Sequence, residues 1–423
     1  MTEQRSNWAG NYTYNATSFH YPETVEQVQE LVSQADQLKV LGSGHSFNDI
    51  ADTPQEMLSL AHFKFEPVIN REHNTLTVGA GVKYGQICHQ LYREGYALPN
   101  LASLPHISIA GACATATHGS GERNGNLATA VAAMELVKAD GSVVALSREQ
   151  DGEEFLGAVV GLGGLGVVTK ITLDLVPAFE MRQVVYQNLP LAQLEEHFDE
   201  IEAQAYSVSL FTDWQSEKIN QVWLKHQIKA GDTTPFDLKP ELFGAKLAQT
   251  ELHPLAGMSA QACTPQLGIA GPWYDRLPHF RMDFRPSNGE ELQTEYLLPR
   301  PHALAALQAV ARLRQQVAPL LQICEVRTIA ADKLWMSPCY QQNRVAIHFT
   351  WKKNWEAVKR LLPVIEAQLV PLEAVPHWGK LFTLPAPQVQ AAYTRLGEFQ
   401  RLLQTYDPQG KFRNAFLDRY IYN

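Results

Sequence analysis

The chain has few cysteines, no long apolar run and no block of one charge sign, and each of these absences narrows what it can do. Its five cysteines, Cys88, Cys113, Cys263, Cys324 and Cys339, are scattered and form no CxxC or Cys/His ligand spacing. That usage fits a reduced, cytoplasmic protein whose cysteines are small buried hydrophobes, and no metal is expected. No uncharged apolar run approaches ~20 residues, so no membrane span is expected. The N-terminal MTEQRSNWAGNYTYN lacks the apolar core of a signal peptide. No run of Lys or Arg offsets the net charge of −9, which argues against nucleic acid as a partner. What remains is ordinary globular composition over 423 residues, 45% hydrophobic and 19% charged, enough for two or three domains.

Periodicity predicts a helix over Tyr21–Gln37, entered through Pro22, with Val25, Val28, Leu31, Val32 and Ala35 on one face. A short strand, Leu38–Leu41, runs into the glycine loop Gly42-Ser43-Gly44-His45-Ser46. Strands are expected at Met57–Leu60, Thr75–Val78 and Val167–Leu175, and a helix at Val82–Tyr96. A hairpin is expected from Val131–Lys138 and Ser142–Leu146 about Ala139-Asp140-Gly141. Residues 98–121 read as one long irregular stretch, of the kind that usually serves function.

Beyond Pro177 the pattern shifts to strands at Met181–Gln187, Val208–Thr212, Asn220–Lys225, Gln293–Leu298, Ile323–Ala330 and Arg344–Thr350. Amphipathic helices are expected at Pro301–Val317 and Trp355–Gln368, and little periodicity between Ile228 and Pro286. The chain therefore reads as α+β, with an antiparallel sheet backed by helices in its second half.

Gly161-Leu162-Gly163-Gly164-Leu165-Gly166 matches GxGxxG, but it leads into the β-branched run Val167–Leu175. A dinucleotide fingerprint must open a helix, so this one is read as a turn into a strand. The Gly42–Ser46 loop can instead turn backbone N–H groups toward an anion, or it is merely a tight turn. Thr115–Gly121 offers a second loop of hydroxyls and unhindered amides. On a later strand Glu325 and Arg327 share a face, as do His348 and Thr350 on the next. Such groups are either solvated or converge on a pocket.

Ordered motifs along the whole chain now carry a resemblance. They include VLGSGHSFN (40–48), LPNLASLPHISIAG (98–111), THGSG (117–121), YSVSLFTDW (206–214) and GPWYDRLPHFR (271–281). EVRT (325–328), AIHFTW (346–351), PHWGKLFT (376–383) and DPQGKFRNAF (407–416) follow. Together the chain resembles the alditol oxidases of the vanillyl-alcohol oxidase flavoprotein family, which act on polyols such as xylitol and sorbitol.

The resemblance implies a two-domain FAD-binding fold, with a cofactor domain over residues 1–178, rejoined by 405–423, and a substrate cap over 179–404. It implies FAD bonded to His45 and surrounded by Val40, Leu41, Gly42, Ser43, Gly44, Ser46 and Phe47. Ser103, Ser108, Gly111, Thr115, Thr117 and His118 are further cofactor contacts that it implies, as are Gly119, Ser120, Gly121, Val168 and Ile171. Substrate contacts fall on Ser108, Glu325, Arg327, Thr350 and Lys380, with Arg327, Lys380 and His348 as the catalytic groups.

The implied reaction takes a terminal alditol hydroxyl to the aldose while O2 becomes hydrogen peroxide, in a monomeric cytoplasmic enzyme. A sugar-1,4-lactone oxidase, which shares the EVR and HW-K pattern, is the alternative. A noncatalytic sugar-binding protein on the same fold is a third reading, opposed by the intact His45, Glu325, Arg327 and Lys380.

Overall fold

Thr24 starts the first helix, because its hydroxyl accepts from the Gln27 N–H at 3.3 Å. In the computed structural model, which describes residues 5–228, 236–284 and 290–422, that helix is Val25–Gln34. Pro22 lies outside it, so the sequence reading began the helix too early. Val28 and Val32 bury against Leu38, Leu58 and Phe412. Three short strands, Ser18–His20, Glu56–Leu58 and Leu38–Val40, pair in parallel, with Glu56–Leu58 in the middle.

A second, five-stranded antiparallel sheet holds the expected hairpin, now Val131–Val137 and Val143–Ser147, with Gly141 at φ +79°. Its middle strand, Val167–Asp174, buries alternate residues. The Gly161–Gly166 turn opens that strand, as read. At Gly166 φ is +145° and a Cβ would lie 2.4 Å from the Val137 carbonyl oxygen, so only glycine fits.

The second half forms a ten-stranded sheet. Its neighbouring strands Ser207–Thr212, Leu321–Ile329, Arg344–Lys352 and Glu291–Pro299 are antiparallel. Helices Ala303–Arg312 and Trp355–Leu369 pack on each other and on the Glu291–Pro299 strand. These strands are buried on both faces almost throughout. Glu325, Arg327, His348 and Thr350 are therefore interior groups, which removes the solvated-face alternative.

Several elements differ from expectation. The stretch 98–121 contains a six-residue helix, Ile109–Ala114, whose small residues give no amphipathic signal. Pro301–Val317 divides into helices Ala303–Arg312 and Arg314–Val317, because Leu313 at ψ 4° leaves the helical region. Helices at Arg148–Ala158, Leu191–Glu202 and Leu396–Tyr406 were not foreseen. The first is mostly polar and carries Gly152 at φ +47°. The aperiodic region after Ile228 holds short strands and two 3-10 turns, Ala260–Ala262 and Trp273–Asp275, among its described residues, and 229–235 and 285–286 lie outside them.

The C-terminal segment is stitched to the first strands. Leu38 N–H donates to the Lys411 carbonyl at 2.9 Å, and Lys39 Nζ to those of Phe412 and Gly163 at 3.2 and 2.9 Å. The Asn414 amide donates to the carbonyls of Asp49, Ile50 and Asp52 at 3.2, 3.0 and 2.8 Å, while its oxygen caps Leu417. Asn414→Ala strands several buried acceptors at once and should cost about 2 kcal/mol or more of stability in denaturant unfolding. A change below ~0.5 kcal/mol would show that the staple is dispensable.

Candidate active site

One cavity of about 760 Å³ joins the glycine loop of the first half to the large sheet of the second. Residues 40–47 line one side of it, with Ser103, Ser108, Gly111, Thr115, Thr117 and His118. Glu325, Arg327, His348, Thr350 and Lys380 line the other. The size suits a large organic ligand.

The cavity does not reach Gly119, Ser120, Gly121, Val168 or Ile171. A Cβ on Gly119 would meet the Leu101 carbonyl oxygen at 2.3 Å. Ser120 Oγ donates to the Val208 carbonyl, and Gly121 N–H to that of Thr328. Ile171 is core, with Val168 packed against it.

The loop side is built for close backbone approach. Ser43 N–H donates to Ser108 Oγ at 3.2 Å, and Ser108 N–H donates to Ser43 Oγ at 3.1 Å. A Cβ on Gly42 or Gly111 would lie 2.5 or 2.8 Å from Ser108 Oγ. Ser108 thus joins two backbone segments, and its hydroxyl is bonded to the Ser43 loop, not to the charged cluster.

His45 stacks on Trp8 with ring centroids 5.1 Å apart. Its Nδ1 is buried without a hydrogen-bond partner, and burial pushes its pKa down to about 4. The ring is therefore neutral near pH 7, with one nitrogen uncommitted.

The sheet side is organised by register. Glu295, His348 and Glu325 are direct partners across three adjacent strands, so their side chains share a face. Glu295 Oε1 lies 2.7 Å from Arg327 Nη2 and 3.2 Å from His118 Nε2. Its Oε2 lies 2.8 Å from Lys380 Nζ. His348 places Nδ1 2.5 Å from Lys380 Nζ and Nε2 3.1 Å from Thr350 Oγ1. Arg327 also reaches Ser103 Oγ at 3.3 Å and lies 3.6 Å from Glu325.

Lys380 sits on a loop that is tied to the glycine loop of the first half. Phe47 N–H donates to the Gly379 carbonyl at 2.8 Å. Asn48 Nδ2 donates to the carbonyls of Trp378 and Lys380, each at 2.8 Å.

Burial opposes the charge on Glu295, yet Lys380, His118 and Arg327 hold its carboxyl well below the usual range. Burial likewise opposes Glu325, and Arg327 with His279 keeps it ionised. Burial lowers the Lys380 pKa, with Glu295 pulling the other way. His348 is pushed down to about 4 by burial and then by Lys380.

Sequence reading missed Glu295, His279 and Lys225. Glu295 sits in an apolar strand, and its alternation with Gln293 was the available signal. His279 Nε2 lies 2.8 Å from Glu325 Oε1, and Lys225 Nζ lies 3.1 Å from His279 Nδ1. The set-aside GxGxxG turn also reaches the cavity, through Leu162 and Gly163.

A family profile described as FAD binding domain matches residues 16–147, and one described as D-arabinono-1,4-lactone oxidase matches 286–420. Alditol oxidase of Streptomyces sp. is 48% identical over 99% of this chain and 99% of its own. L-Gulonolactone oxidase of Mus musculus is 26% identical over 99% of this chain and 98% of its own. The crystal structure of cholesterol oxidase from B. sterolicum has the same fold. Its TM-score is 0.79 at 14% identity, covering 99% of this chain and 96% of that one.

The depressed imidazoles make stability depend on pH. His348 and His279 each bind a proton near 6.5 when unfolded, but only near pH 4 when folded. The unfolded chain thus holds more protons between those values, so stability rises with pH there and levels off above 6.5. The two together should make the fold about 2 kcal/mol less stable near pH 5.5 than near pH 7.5. Denaturant unfolding at both pH values checks this, and the slope should flatten in His348→Gln.

Proposed function

Because the chain belongs to the alditol oxidase family of FAD-binding oxidoreductases, we propose that it oxidises the terminal hydroxyl of alditols such as xylitol and sorbitol to the aldose, reducing O2 to hydrogen peroxide. One observation carries the reading: a single cavity joins the His45 loop to a buried cluster of two carboxylates, an arginine and a lysine. A polyol offers only hydroxyls, so its site needs donors and acceptors along a line. Thr350 both donates and accepts, Glu325 accepts, and Arg327 and Lys380 donate.

The cavity's loop side fits FAD. Gly42 and Gly111 let two backbone segments close around Ser108, and residues 42–47 with Thr115, Thr117 and His118 would hold the cofactor. His45 would bond to the flavin 8α-methyl, supported by its neutral ring and its Nδ1 without a partner. Bound FAD supplies the acceptor for the two electrons and hydrogen that leave the alcohol carbon, and returns the electrons to O2.

The protein's part is the hydroxyl proton and the charge it leaves behind. Arg327 and Lys380 stabilise the developing alkoxide. Lys380 Nζ donates to His348 Nδ1, so the neutral imidazole carries its proton on Nε2 and donates to Thr350 Oγ1, which turns the Thr350 hydroxyl hydrogen toward the substrate. The overall change, alcohol plus O2 to aldehyde plus H2O2, balances.

Residues 1–178 with 405–423 form the cofactor unit in this reading, and 179–404 the cap, supported by the bonds from residues 38, 39 and 414 across the tail. A monomeric, cytoplasmic enzyme belongs to the same proposal, supported by five free, buried cysteines. Among the described residues no helix is long and apolar enough to cross a membrane.

A lactone oxidase is the second reading, favoured by the lactone oxidase profile over 286–420 and opposed by 26% against 48% identity. Peroxide release from glycerol, xylitol, sorbitol and an aldonolactone separates the two. Turnover of the lactone alone would overturn the alditol assignment.

Acid precipitation should leave the flavin with the protein, and yellow colour released wholly to the supernatant would refute the bond to His45. Lys380→Met should lower kcat by ~10²–10³-fold, as loss of a donor to developing charge does. Glu325→Gln should chiefly raise KM. Equal kcat losses in both, at unchanged KM, would contradict this division.

A further inference from the structure

Lys225 is among the least exposed lysines a fold can carry, at 1% of its surface, and it does not line the cavity. It stands on the Lys218–Ile228 strand, two strands from Glu325. Its Nζ meets three acceptors: the carbonyls of Leu277 and Pro278 at 2.6 and 3.0 Å, and His279 Nδ1 at 3.1 Å. Burial lowers the Lys225 pKa to about 7, yet three acceptors around one nitrogen call for three N–H donors. As the ammonium it satisfies all three and leaves His279 Nδ1 one role, that of acceptor. The proton of the neutral imidazole must then sit on Nε2, which faces Glu325 Oε1 at 2.8 Å.

The ring cannot turn away. Phe211 and Trp223 box it edge to face, with centroids at 5.4 and 5.3 Å. The His279 backbone N–H is held by the Ser103 carbonyl at 3.2 Å.

We propose that Lys225 is a positioning residue for the reaction: it fixes the tautomer of His279, so that Nε2–H holds Glu325 ionised and aimed at the substrate hydroxyls. The inference rests on the alditol reading above and adds a residue that touches neither substrate nor cofactor. Without the ammonium, His279 Nδ1 loses the donor that makes it an acceptor, and the ring proton is free to sit on Nδ1. Nε2 then turns a lone pair on the Glu325 carboxylate, which must take up a proton or move. Either change alters how hydroxyls remote from the reacting carbon are read, without touching Lys380 or Arg327.

Lys225→Met should therefore raise KM for xylitol and sorbitol by ~10-fold, with kcat changed less than ~3-fold, and should flatten the preference between them. His279→Gln supplies a fixed amide N–H in place of Nε2–H, so Lys225→Met on that background should raise KM less than ~2-fold further. An equal KM penalty in both backgrounds, or a kcat loss at unchanged KM, overturns the proposal.

The tautomer itself is readable in the unmutated FAD-loaded protein by nitrogen-15 spectra of labelled histidine, assigned with His279→Gln. Nε2–H with bare Nδ1 supports the relay, and Nδ1–H overturns it, even if Lys225→Met fails to fold. If the protein turns over no alditol, the functional reading falls, while the spectra still decide the relay.

Discussion

A carboxylate taken out of water must be paired, and Glu295 is paired with both cations of the site. The rest of the arrangement depends on that one buried charge. Arg327 and Lys380 repel each other and lose hydration in the interior, and the carboxylate between them offsets both costs. Each takes one oxygen of the same carboxylate. His348, opposite Glu295 in register, is left neutral beside Lys380. Burial thus does two things: it makes the cations strong stabilisers of new negative charge, and it keeps the imidazole uncharged.

The two ends of the cavity hold their groups by different means. On the sheet, strand register places Glu295, His348 and Glu325 side by side, with buried backbone ladders on either side. On the loops, position comes from side chains that bond backbone, as Ser43 and Ser108 do to each other's N–H. Rigid elements suit groups that must meet a reacting centre within tenths of an ångström. Loops with exposed amides suit a large ligand bearing phosphates.

Much of this was legible in the sequence, and what was not has physical reasons. Glu325 with Arg327, and His348 with Thr350, were found by two-residue alternation, because polar groups repeated inside an apolar strand stand out. Glu295 follows the same rule but precedes the apolar run Tyr296–Pro299, and only its partner across the sheet gives it meaning. Lys225, His279 and Glu325 lie on segments that no local pattern connects. The helix Ile109–Ala114 escaped because six mostly small residues are too few to show a period, although it buries Ile109, Ala112 and Cys113 and brings Gly111 close to Gly42. The Gly161–Gly166 turn was rightly read as opening a strand, but context excluded one ligand mode without excluding contact with the cavity.

The grip of Phe47 and Asn48 on the backbone at Trp378–Lys380 joins residues more than three hundred positions apart. Its consequence is one of timing. A chain made from its N-terminus presents the glycine loop more than three hundred residues before the lysine loop and the Asn414 staple. The early loop has nothing to close against until then, so a partly made chain has an open cradle and no charged cluster beneath it. The site is thereby completed only when residues of both halves have been made.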